Sequence, residues 1–212
     1  VDPRRARLVE VASPARPEGQ VLVLHGGADR PGRPPTSPTQ LSVLRMVPVA
    51  RRVARAGRGR LRVHRLLNSS RGWDPDRTPV EDVEWALWRL AQDGPRLPTC
   101  LVGHSLGGRA ALLAGGGEDV VSVVALNPWV YADDATRTDL AGRRVLVVHG
   151  TDDRIADPRR ARRVVDGLRA RHTDATFVDV EGGRHAMLRH GSVFERHAAD
   201  FAARTLLGRP RG

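Results

Sequence analysis

The chain has 212 residues, and its 35 basic residues are all arginine; against 24 acidic residues the net charge is +11. This length suits one globular domain, which at that size buries roughly 70% of its unfolded surface and needs no disulfide or metal to hold a core. The single cysteine, Cys100, excludes an internal disulfide framework and a cysteine-rich zinc site, and no apolar run reaches the roughly 18–20 residues of a membrane span.

The first thirteen residues are arginine-rich without an apolar signal core, so no export signal is expected. The expectation is a soluble, cytoplasmic, single domain over 1–212. Nucleic-acid binding would call for basic residues gathered on one face with aromatics between them. Here arginine is scattered along the whole chain and aromatics make up 4%. The absence of lysine, the single Ile155 and the heavy use of Ala, Gly, Pro and Val point instead to the codon bias of a G+C-rich bacterial genome, and nucleic acid is not expected as a partner.

In chain order, a short strand is expected at 7–11, pairing antiparallel at a sheet edge. A second at 20–25 contains the continuous apolar run Val21-Leu22-Val23-Leu24, the mark of a strand covered on both faces. The Pro/Gly-rich stretch 28–38 is a long loop of the kind often reserved for function. A helix follows at 39–56, with Leu41, Leu44, Val49 and Val53 on one side and Pro48 as a kink or break. After a strand at 60–66, the helix 78–93 opens with Thr78 as N-cap, Pro79 at the first helical position and Glu81 in a capping-box position. On that helix Trp85 and Trp88, three apart, read as packing residues.

A strand at 99–103 leads to a helix at 106–114, stopped by Gly115-Gly116-Gly117, and a strand at 120–126 follows. Next come a strand at 144–149, a helix at 157–171 with Asp157 as N-cap and Pro158 at its first position, a strand at 175–180 and a closing helix at 192–207. Strands alternating with helices imply βαβ units: an α/β fold with a mostly parallel sheet of six to seven strands and helices on both faces.

The chemistry concentrates at Gly103-His104-Ser105-Leu106-Gly107-Gly108, which fits G-x-S-x-G between a strand and a helix. Glycines two before and two after the serine let strand and helix meet without Cβ clashes, while the serine takes a strained conformation that lifts its hydroxyl above the sheet. A serine hydroxyl needs an adjacent base, itself oriented by a carboxylate. Both types follow in the order acid then histidine: Asp152 and Asp153 after the strand at 144–149, and His185 after Glu181-Gly182-Gly183-Arg184. Each falls just past the carboxyl end of a parallel strand, where such sheets place their sites.

These segments resemble a small α/β-hydrolase over essentially the whole chain. The resemblance implies the α/β-hydrolase fold and a Ser105–Asp153–His185 triad, with Asp153 preferred to Asp152 because the family's acid stands three residues after the glycine of Gly150-Thr151-Asp152-Asp153. It also implies an oxyanion hole made by the amides of Leu106 and Gly27, the latter in His25-Gly26-Gly27-Ala28. That segment departs from the family's fuller H-G-G-G form, so Ala28 stays as a second candidate. His25 is read as a side chain bonding loop backbone, and His104 has no assigned chemistry.

Many relatives insert a helical lid that is missing here, because only about seventeen residues separate the strands at 120–126 and 144–149. At most a short helix near 133–140 remains, leaving an open site walled by 28–38, 69–77 and 129–138, with Trp73 and Trp129 as pocket candidates. The expected activity is that of an esterase or thioesterase acting on a small-molecule or carrier-linked acyl substrate, with no cofactor and no metal. A non-catalytic α/β-hydrolase-like interaction protein and a basic nucleic-acid-associated protein are the alternatives. His64 and His149 read as core histidines, Cys100 as a small buried residue, His190 and His197 as surface residues. Arg30, Arg33, Arg109, Arg154 and Arg184 read as solvated charge beside the site or as attractors of anionic substrates. Oligomeric state is not legible.

Overall fold

The computed structural model describes residues 5–27, 34–74 and 77–208. Its strands are β1 (Arg7–Ala12), β2 (Gly19–Leu24), β3 (Leu61–Leu67), β4 (Thr99–His104), β5 (Val120–Leu126), β6 (Arg144–Gly150) and β7 (Asp174–Val180). They form one seven-stranded sheet in the order β1-β3-β2-β4-β5-β6-β7. β1 pairs antiparallel with β3 at one edge, and the remaining pairs are parallel. The helices are α1 (Leu41–Leu44), α2 (Met46–Ala56), α3 (Thr78–Gln92), α4 (Leu106–Leu113), α5 (Pro158–Ala170) and α6 (Gly191–Leu207), with a single 3₁₀ turn at Ala132–Thr136.

Strand alternation splits the core into two layers. Leu22, Leu24, Leu101, Val123, Val145 and Val147 point to the face covered by α3, α4 and α5. Val21, Val23, Cys100, Val102, Val124, Leu126 and Val148 point to the other, covered by α2 and α6, where Phe194 is fully buried. Central β2 and β4 are buried at every position, whereas the edge strands β1 and β7 keep exposed residues. Cys100 lies in this interior, and burial pushes its thiol up to about 12.

Three local expectations are corrected. The helix expected at 39–56 is two helices that part at Arg45. Pro48 has no N–H to give the Leu44 carbonyl and its ring crowds that oxygen, so the interruption falls before the proline, which sits unstrained in the first turn of α2. Thr78 is the first residue of α3 and not its cap; Arg77 holds the cap position with φ 60°, and the Thr78 amide donates to Asp74 Oδ1 at 2.8 Å. Trp85 and Trp88 face outward, because α3 buries Val80, Val83, Ala86 and Leu90 instead. Asp157 does cap α5, accepting the Arg159 amide at 2.9 Å.

No described helix is long and apolar enough to cross a membrane. Several surface arginines are taken up in ion pairs, among them Arg60–Glu18, Arg96–Asp119, Arg137–Asp133 and Arg162–Asp179.

Candidate active site

The carboxyl ends of five neighbouring strands converge on one site. Gly26 and Gly27 follow β2, Ser105 follows β4, Asn127 follows β5, Asp153 follows β6 and His185 follows β7. Ser105 has φ 56° and ψ −121°, the strained turn expected of its motif. The flanking glycines are sterically required: a Cβ on Gly103 would collide with the Gly107 carbonyl, and one on Gly107 would lie 2.5 Å from the His25 carbonyl oxygen. A Cβ on Gly26 would lie 2.9 Å from that of Ser105, so β2's loop can close over the serine only with glycine there.

The structure brings Ser105, His185 and Asp153 into one chain of hydrogen bonds. His185 Nε2 lies 3.0 Å from Ser105 Oγ and its Nδ1 lies 2.8 Å from Asp153 Oδ2. A carboxylate only accepts, so Nδ1 carries the proton and the Nε2 lone pair faces the serine hydroxyl. Asp153 Oδ1 accepts the amides of Ile155 and Ala156 at 2.8 and 2.9 Å, and His149 Nε2 approaches Oδ2 at 3.4 Å. Burial opposes ionisation of Asp153, but the hydrogen bonds from His149, His185 and Ala156 outweigh it and hold the carboxyl well below the usual range. Asp152 is exposed and its own amide bonds the Gly183 carbonyl, so its carboxylate takes no part.

Two further residues hold the His185 loop, and the sequence reading assigned neither of them this task. Asn127, fully buried, donates through Nδ2 to the carbonyls of Arg184 and His185 at 3.1 and 3.2 Å and accepts the Gly150 amide at 2.8 Å. It thus ties the turn carrying the acid to the turn carrying the histidine. His104 donates through Nε2 to the His185 carbonyl at 2.8 Å; burial, then the neighbouring His185, lowers its pKa to about 3, which keeps it neutral. His25 bonds loop backbone as expected: Nδ1 donates to the Gly26 carbonyl at 2.6 Å and Nε2 accepts the Asn68 amide at 3.2 Å.

A cavity of about 600 Å³ opens over Ser105, within the usual range for small-molecule sites. The oxyanion-hole candidates Gly27 and Leu106 and the pocket candidates Trp73 and Trp129 all line it, together with Tyr131 and Arg45. Leu106 begins α4, where first-turn amides have no intrahelical acceptor. The loop 69–77 thus contributes Trp73, and 129–138 contributes Trp129 and Tyr131. Of the loop 28–38, Ala28, Arg30 and Arg33 lie outside the described residues.

Arg109 is neither solvated charge nor an anion receptor. It is buried and makes a bidentate pair with Asp134 at 2.8 and 2.9 Å, its guanidinium 4.2 Å from the Trp73 ring and 4.5 Å from that of Tyr131. Asp134 also accepts the Tyr131 amide at 2.9 Å. This pair anchors the 3₁₀ turn that stands where a lid would be and, through the Tyr131 amide, the segment that lines the pocket. Arg154 and Arg184 are exposed, and His149 and His64 are buried, whereas His190 and His197 are half-buried. Among the described residues no group of His, Cys, Asp and Glu is placed to hold a metal ion.

No protein-family model matches the sequence, and no curated protein is similar to it. Solved structures do resemble it. An alpha-beta serine hydrolase homologue from Coxiella burnetii superposes with a TM-score of 0.70 at 14% identity, over 92% of this chain and 90% of that one. Est1E from Butyrivibrio proteoclasticus with bound ferulic acid gives 0.72 at 14%, over 95% and 96%. The Paleococcus ferrophilus monoacylglycerol lipase gives 0.69 at 15%, over 94% and 98%. The chain has the α/β-hydrolase fold. Between β5 and β6 the structure has a 3₁₀ turn and no lid domain.

Proposed function

We propose that the chain is a serine hydrolase that cleaves carboxylic esters or thioesters through an acyl-enzyme intermediate. The observation that carries this reading is the relay from Ser105 Oγ through His185 to Asp153, at 3.0 and 2.8 Å, at the floor of the cavity.

In this reading, Ser105 Oγ attacks the acyl carbon while its proton passes to His185 Nε2 and the carbonyl π pair moves onto oxygen. The amides of Gly27 and Leu106 stabilise that oxyanion. Asp153 keeps the proton on Nδ1 and balances the imidazolium. As the tetrahedral adduct collapses, His185 gives its proton to the departing alcohol or thiol. Water then attacks the acyl-serine with His185 again as base, releasing the acid and restoring the serine. The chemistry needs no cofactor or metal. The aromatic wall of Trp73, Trp129 and Tyr131 favours an apolar or planar acyl group. The esterase and lipase names among the structurally similar proteins agree with ester substrates.

The test is intact-protein mass after fluorophosphonate treatment, with 4-nitrophenyl acetate, butyrate and octanoate turnover measured beside it. One adduct on the wild type, absent from Ser105→Ala and slowed in His185→Ala, is expected. The absence of both adduct and turnover in the wild type would overturn the proposal.

A further inference from the structure

Arg45 is the one-residue break between α1 and α2 that Pro48 imposes, and it occupies an unusual place. It lines the cavity over Ser105 and also a second cavity of about 370 Å³, walled by Pro48, Val49, Ser192, Glu195 and the residues 186–189 that directly follow His185. Arg45 therefore borders both spaces.

Among the described residues it has no hydrogen-bond or ion-pair partner, and its Nε is buried and unbonded. Partial burial lowers its pKa, and among the described residues no carboxylate counters that effect. The charged and titratable groups that share its two cavities are His104, Tyr131, His185, Arg189 and Glu195, and Glu195 lies 3.8 Å from Arg52. Arg109 shows what a satisfied arginine looks like in this fold: buried, bidentate and stacked. A half-buried guanidinium whose Nε is buried and unbonded, with no counter-ion among the described residues, is a site for one, and its planar fork matches a carboxylate or phosphate.

The position also says which part of a substrate would bring the anion. In the acyl transfer proposed above, on which this inference rests, His185 protonates the departing oxygen or sulfur, so the leaving group lies on the His185 side. The second cavity is built on the segment just after His185, and Arg45 borders it. The aromatic residues Trp73, Trp129 and Tyr131 come from other loops. We infer that Arg45 binds a carboxylate or phosphate on the alcohol or thiol portion of the substrate, and so selects esters with an anionic leaving group.

The test compares Arg45→Met and Arg45→Lys with wild type on four esters: phenyl acetate, 3-acetoxybenzoate, 3-acetoxyphenyl phosphate and phenyl hydrogen glutarate. Taking the wild-type to variant ratio of kcat/KM for each ester cancels intrinsic reactivity. Loss of a charge-assisted contact predicts that Arg45→Met lowers kcat/KM for 3-acetoxybenzoate or the phosphate about ten-fold or more beyond its effect on phenyl acetate. Arg45→Lys should recover part of that difference, and the larger of the two effects identifies the preferred anion. An equal loss on all four esters would overturn the inference. So would a loss greatest for the glutarate, whose anion is on the acyl side.

Calorimetric binding of 3-hydroxybenzoate and 3-hydroxyphenyl phosphate to Ser105→Ala protein, with and without Arg45→Met, separates this proposal from the acyl chemistry. At least one ligand should bind about ten-fold more weakly without Arg45. That result with a wild type that turns over no ester would keep the anion site and discard the hydrolase reading. Equal affinities would discard the anion site.

Discussion

Removing the Asn127 side chain tests most directly how the site is held together. Asn127→Ala deletes three hydrogen bonds at a fully buried position: two from Nδ2 to the Arg184 and His185 carbonyls and one from the Gly150 amide to Oδ1. The His185 carbonyl keeps His104 as donor and the Arg184 carbonyl keeps the Met187 amide, so one group is newly orphaned, the Gly150 amide. Each buried unsatisfied group costs about 1–3 kcal/mol. Asn127 also has φ 42°, a left-handed conformation that asparagine tolerates better than alanine, adding about 1 kcal/mol. The sum is a destabilisation of about 2–4 kcal/mol, read from urea unfolding midpoints. Because the lost bonds hold the His185 backbone, kcat on 4-nitrophenyl acetate should fall by at least about ten-fold even at temperatures where the variant is folded. Asn127→Gly separates the two contributions, since it loses the same bonds without the left-handed penalty. A loss below about 1 kcal/mol with unchanged kcat would refute the reasoning, since the bridge would then carry neither stability nor position.

Further expectations concern the groups around the pocket. Burial pushes Asp82 up to about 6 although the Ser69 amide and hydroxyl both bond it. Its folded pKa exceeds its unfolded one, so the folded state holds the extra proton and stability should fall by up to about 3 kcal/mol as pH rises from about 4 through about 6. Asp82→Asn should flatten that part of the stability curve, and parallel wild-type and variant curves across pH 4–8 would contradict it. Arg109→Met strands Asp134 as a buried charge and should cost about 3–5 kcal/mol in urea unfolding, with Arg109→Met/Asp134→Asn recovering part of it. Failure of the second change to recover anything would mean that the aromatic contacts, and not the ion pair, hold the 3₁₀ turn.

Much of this protein is legible along the chain because the relevant forces act over a few residues. The strand runs, the helix caps at Asp157-Pro158 and the glycines around Ser105 are local steric and hydrogen-bonding demands. Parallel topology then carries the carboxyl ends of β2 to β7 to the same edge of the sheet, which brings the turns bearing Ser105, Asp153 and His185 together. Where reading along the chain failed, a nearby competitor or a distant partner decided. Pro48 was seen as a break, but its clash acts four residues back, which moved the interruption to Arg45. The two tryptophans of α3 were read by spacing, but the smaller residues on the opposite side of that helix fit the sheet.

Only the tertiary structure decided what surrounds the relay. Asn127 and His104 reach backbone carbonyls 57 to 81 residues away, and backbone acceptors leave no trace in residue type. Arg109 and Arg45 are alike in a composition of 35 basic residues, all arginine. One is neutralised in the interior by Asp134, and the other, lining the cavity over Ser105, has no partner among the described residues. Which role an arginine takes depends on the dielectric and the counter-charges that folding places around it, and those are properties of the packed molecule, not of the residue.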